Sequence, residues 1–199
     1  MRFTQPLISS IAAGVLLLFG AGCAKKAPAP PPAAIIAPVA APNWGHPTKE
    51  TGCAVGVGIQ DHGCTPGDII AANTKAVICA ANFSTTSVRD SVTTPTQKEK
   101  VYGMYNIPHP SNNSGANQKC EIDHLVSLEL GGNDTMANLW PQCSPGYQGQ
   151  TAPGFRDKDK FENYLHRQVC AGKIALPDAQ RQIATDWLKF WTAAGKPTK

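Results

Sequence analysis

The sequence predicts an α+β domain braced by disulfides, and three observations carry that expectation. Two short segments that read as strands, Cys120 to His124 and Asn138 to Trp140, flank a Gly131-Gly132-Asn133-Asp134 run that must turn the chain tightly. Two amphipathic helical patterns close the chain. Six cysteines, Cys53, Cys64, Cys79, Cys120, Cys143 and Cys170, lie between Asn43 and the C-terminus, and an even number in an exported chain favours disulfides.

The N-terminus reads as an address, not as part of the fold. Arg2 supplies a positive start and Leu7 to Phe19 an apolar run too short for a membrane span. Residues 1–22 are therefore expected to be a signal peptide. Ala21-Gly22-Cys23 resembles a bacterial lipobox, in which Cys23 would be acylated and become the mature N-terminus. Ordinary cleavage near Ala24 is the alternative. Residues 23–43, mostly Ala and Pro, read as a tether, because such sequence stays extended and builds no core. The chain is expected to be exported, either as a membrane-anchored lipoprotein of the bacterial envelope or as a secreted or periplasmic protein.

About 155 residues remain from Asn43 onward, enough for one domain, 44–199, and a monomer is expected. The whole chain carries a net charge of +4, one unit of it from Arg2 in the leader. That mild positive charge suits a polyanionic partner without requiring one. The cysteines lack Cys-x-x-Cys spacing, which weighs against a structural zinc site. Their pairing is left open. A bridge between Cys120 and Cys143, or from either to Cys170, would brace the two-strand unit.

Along the domain, Asn43 to Thr65 reads as loop pinned by a disulfide, and Thr65-Pro66-Gly67-Asp68 as a turn. Ala76-Val77-Ile78-Cys79 reads as a strand. Thr94-Pro95 reads as an N-cap and first helical residue, opening a helix to about Tyr105 with Val101, Met104 and Tyr105 on its buried side. Ile107 to Gln118 is loop. Asp157 to Cys170 places Phe161, Leu165 and Val169 at four-residue steps. Pro177-Asp178 opens a second helix with Ile183, Trp187, Phe190 and Trp191 on its apolar face, stopped by Gly195 and Pro197.

The segment from Glu121 to Pro141 carries the chemistry. It reads as strand, compact loop and strand, with the helix from Asp157 packing across the pair. Asp123 beside His124 at a strand end suits phosphodiester hydrolysis. A carboxylate holds a hard divalent cation, and a neutral imidazole takes a proton from water near neutral pH. Neighbouring strand residues point to opposite faces, so the two serve one phosphate only across the strand's end. Asn138 is the candidate to pin the loop and hold the strands in register.

Asp123-His124, Leu128-x-x-Gly131-Gly132 and Asn138-Leu139 together resemble the HNH motif of the His-Me finger nucleases. The longer run Glu121 to Gln142, with Lys158-Asp159, Glu162, Val169-Cys170-x-Gly172, Ala179-Gln180 and Asp186-Trp187, resembles exported bacterial members of that family. The resemblance implies a ββα-metal core at about 118–170. It implies His124 as general base and Asp123 as metal ligand, with Asn138 completing the catalytic motif as a brace. The cofactor implied is a divalent ion, Mg2+ first, with Mn2+ or Zn2+ as alternatives.

The stretch after Asn138-Leu139 reads Cys143-Ser144-Pro145-Gly146-Tyr147 and offers no third metal ligand. Asp159, Glu162 and His166, spaced i, i+3, i+7, share a helix stripe. Asp159 or Glu162 is the expected third ligand. Arg156 and Lys158 are the first candidates for contact with a phosphate backbone, ahead of Arg89, Lys160 and Arg167. The implied partner is DNA, or RNA, cut with little sequence preference. The alternatives are a noncatalytic nucleic-acid-binding protein and a structural envelope lipoprotein on the same scaffold.

Overall fold

The computed structural model describes residues 42–89, 94–150 and 153–198. The leader, Cys23 and nearly all of the tether lie outside the described residues. The elements are α1 (Lys75–Ile78), α2 (Pro95–Met104), β1 (Cys120–His124), β2 (Leu139–Cys143), α3 (Phe155–Cys170) and α4 (Leu176–Ala193), joined by loops and single 3-10 turns. The chain is thus mixed α and β, with one small antiparallel sheet and disulfides. Among the described residues, no helix is long and apolar enough to cross a membrane.

The two strands pair from Cys120 opposite Cys143 to His124 opposite Leu139. Because directly opposed residues share a face, Glu121, Asp123, Trp140 and Gln142 fall on one side and Cys120, Ile122, Pro141 and Cys143 on the other. Tyr102 of α2 packs with Cys120 and Cys143, flanked by Ile107, Ile122 and Tyr147. The main core joins Leu125, Leu130 and Trp140 to Phe161, Leu165 and Val169 of α3 and to Ile183, Trp187 and Trp191 of α4. Apolar burial on this scale is the main driving force for the fold.

Three disulfides close: Cys53–Cys64, Cys79–Cys170 and Cys120–Cys143. The first pins the N-terminal loop and the third ties the strand pair at its open end. The second fixes the end of α1 to the end of α3.

The helix from Pro95 forms as expected, with Thr94 Oγ1 accepting from Gln97 N at 3.3 Å and Val101 and Met104 buried. The helices expected from Asp157 and Pro177 start slightly earlier, at Phe155 and Leu176. Helix α4 departs from helical geometry at Asp186 (φ −163°, ψ 78°), whose Oδ1 caps the next turn by accepting from Lys189 N at 2.9 Å. One expectation is corrected. Residues 76–79 are not a strand, since Lys75–Ile78 form a single helical turn and only Ile78 is buried. A four-residue apolar run does not distinguish the two by period, and the Cys79–Cys170 bond settles its place against α3.

Candidate active site

The loop between the strands is held by hydrogen bonds that begin outside it. Asn138 is fully buried and uses all of its side-chain capacity. Its Oδ1 accepts from Val126 N at 2.9 Å and Asp68 N at 3.3 Å. Its Nδ2 donates to Val126 O at 3.0 Å and Asn133 O at 2.7 Å. Asn138 therefore braces the loop and has no hydrogen-bonding group left for a substrate. Asp68 adds a second brace, accepting from Asn133 Nδ2 at 2.9 Å and Thr135 Oγ1 at 2.8 Å. Gly132 permits the tight path, because a Cβ there would lie 1.9 Å from Val126 O.

This loop aims Asp134 at His124. Nε2 of His124 lies 2.7 Å from Asp134 Oδ1, both side chains being nearly buried. A carboxylate accepts, so Nε2 carries the hydrogen and Nδ1 keeps its lone pair. Burial lowers the His124 pKa more than Asp134 and Asp123 raise it, so the ring is neutral at neutral pH. Asp134 was not anticipated from the sequence. The signal that could have found it is the lone acid at the end of the Gly-Gly-Asn-Asp turn.

Asp123 and His124 reach the same cavity, of about 420 Å³, at the end of β1. Glu121, Glu129, Asp159 and Glu162 line it too, with Arg89 at its edge. Burial, then Asp123 and Asp159, push the Glu121 carboxyl up to about 8. Burial, then Asp123, raises Asp159. Glu162 is raised by burial despite its lysine partner. The cavity offers carboxylate oxygens from Glu121, Asp123, Asp159 and Glu162, the kind of ligand a hard divalent ion prefers, though they are not gathered as a set of three within 4.8 Å of one another.

One expected phosphate contact is corrected. Lys158 is completely buried, with Nζ 2.7 Å from Asp123 Oδ2, 2.8 Å from His124 O and in contact with Glu162 Oε1. It donates to His124 O and Glu162 Oε1 and pairs electrostatically with Asp123, and its complete burial keeps it from a nucleic acid. Burial opposes its charge, but Asp123 and Glu162 outweigh that and raise its pKa. Arg156 is exposed and is not among the cavity's lining residues; its Nη2 donates to Gly115 O at 3.0 Å, its guanidinium lies 4.9 Å from the Phe155 ring centre, and its charge reaches Asp159. Arg89, ranked below both, is the arginine that lines the cavity. Tyr102, Tyr105 and Trp140 are buried and belong to the core.

The helix stripe divides. Asp159 and Glu162 face the cavity, whereas His166 Nε2 lies 3.1 Å from Ile78 O and 3.5 Å from Cys170 Sγ. His166, Cys79 and Cys170 form a group whose ligating atoms lie within 4.8 Å of one another and could hold a metal ion. In the folded chain the two sulfurs are joined to each other, so this group offers thiolates only after reduction. The chain matches no family model, no curated protein and no solved structure.

Proposed function

We propose that this chain is a metal-dependent nuclease of the HNH type, built on a ββα-metal core, that hydrolyses phosphodiester bonds of DNA or RNA with little sequence preference. The observation that carries the reading is the convergence of the Asp134-oriented His124 ring and the Asp123 carboxylate on one acidic cavity at a hairpin's end. Strand β1, the braced loop, strand β2 and helix α3 follow one another in the order the family resemblance implies.

His124 Nδ1 takes a proton from a water as the water oxygen bonds to phosphorus. The opposite P–O ester bond breaks, and the departing oxygen is protonated from solvent. Asp134 keeps the ring in the required tautomer and stabilises the imidazolium that forms. Asp123, with Asp159 or Glu162, would hold the divalent ion, which when bound supplies neutralising charge to the phosphoryl and departing oxygens. Arg89 stands where it can meet the phosphate backbone. A noncatalytic nucleic-acid binder is disfavoured by the same acidic lining, which repels a polyanion unless a cation intervenes. The anchor at Cys23 and the tether would hold the nuclease at a membrane surface.

Purified protein should nick plasmid DNA in Mg2+ or Mn2+ and stop in EDTA. His124→Ala should lose at least about 10²-fold in rate while keeping the wild-type circular dichroism spectrum. Undiminished cleavage by that variant would sink the reading.

A further inference from the structure

We infer that Lys158 is a positioning residue for the candidate site: one buried ammonium sets the places of Asp123, Glu162 and the His124 backbone together. The inference rests on the nuclease reading for its consequence, but its geometry stands independently of it. Lys158 lies in the second turn of α3, its side chain is 0% exposed, and Nζ faces three acceptors on two elements, Asp123 Oδ2, His124 O and Glu162 Oε1. It donates hydrogen bonds to His124 O and Glu162 Oε1 and stands 2.7 Å from Asp123 Oδ2 as an ion pair.

Each contact has a consequence for the cavity. The Asp123 contact is a close ion pair at 2.7 Å, and Oδ2 is shut away from solvent. Only 11% of the Asp123 side chain is exposed, so the open part of the carboxylate lies on the Oδ1 side. The Glu162 contact likewise occupies Oε1 and leaves Oε2. The bond to His124 O fixes the last peptide of β1, the one that carries the imidazole. Without the ammonium, Asp123 and Glu162 would face each other with no counter-charge between them. They would then bind a divalent ion with more of their oxygens, in a place not set by the strand end.

A structural anchor and a positioning residue make different predictions for Lys158→Met, which keeps the side chain's length and removes its charge. The inference expects Mn2+ to bind this variant several-fold tighter, by isothermal titration, while cleavage falls at least tenfold. A second change, Glu162→Gln in the Lys158→Met background, should return Mn2+ affinity toward the wild-type value. Movement of affinity and cleavage in opposite directions is something lost folding alone does not produce. Equal Mn2+ affinity in wild type and a folded Lys158→Met, or a parallel loss of both properties, would overturn the inference.

If Lys158→Met does not fold, lysine side-chain 15N resonances of the wild-type protein decide the matter. A protected Lys158 ammonium signal that persists and shifts on saturation with Mg2+ supports the role. A signal that Mg2+ leaves unmoved, or that vanishes, refutes it. A wild-type protein that binds Mn2+ but leaves plasmid intact would remove the nuclease reading, while the metal and 15N measurements would still report on the placement by Lys158.

Discussion

At the scale of single residues, the site depends on a histidine kept neutral by burial and aimed by a carboxylate. On the nuclease proposal the base must be unprotonated to act, so cleavage should rise with pH. The midpoint should lie below the ordinary histidine value of 6.5, the direction in which burial displaces His124. Asp134→Asn removes the charge that favours the imidazolium and frees the ring to take the other tautomer. Its cleavage rate at pH 7 should fall on the order of 10²-fold, and the midpoint should move lower still. A pH–rate profile of kcat/KM for both proteins checks this. Asp123 and His124 were legible in the sequence because they are adjacent and lie in a motif. Asp134 was not, because its role depends on a loop path that periodicity does not describe. Lys158 was noticed for its charge and its nearness in sequence, yet a helix residue's orientation decides whether it meets solvent or the core. Here its face points at the strand end.

At the scale of elements, the loop between the strands does most to define the site. Gly131 adopts φ 78°, and Gly132 passes so close to Val126 that a methyl group cannot fit. Gly132→Ala should therefore destabilise the fold by more than about 2 kcal/mol, read as a lower midpoint in urea. Cleavage should fall even at temperatures where the variant remains folded, because the loop also carries Asp134. The loop's tight turn, the hairpin, α2, α3 and α4 were all readable from turn residues, caps and four-residue spacing. The single turn at Lys75–Ile78 was not. Its apolar run is short, and a disulfide and the α3 surface, rather than its own propensity, hold it in place. The 3-10 turn that follows supplies Thr85 to the cavity, a lining residue the sequence did not single out.

At the scale of the whole molecule, the acidic cavity should be felt in stability. The Glu121 carboxyl is raised from 4.5 to about 8, so the folded chain binds its proton more tightly than the unfolded chain does. That contribution is fully present below pH 4.5 and is lost as pH rises through about 8. Glu129 and Glu162 shift in the same direction. The metal-free protein should accordingly lose Tm between pH 5 and 8 in this term. Added Mn2+ should raise Tm more at pH 8 than at pH 5, since it binds the ionised carboxylates. Scanning calorimetry across that range, with and without Mn2+, tests it. A metal-induced rise in Tm that is independent of pH would show that these carboxylates do not hold the ion.

The Cys120–Cys143 bond has a further consequence. It joins the outer ends of the two strands across 23 positions, so His124, Asp134 and Asn138 all sit inside one covalent ring. A protease that cut any single peptide bond within that ring would open it without separating the fragments. Both cut ends would stay attached to the same sheet, ready to return to their places. The chain could thus survive a clip in the segment that carries its candidate site.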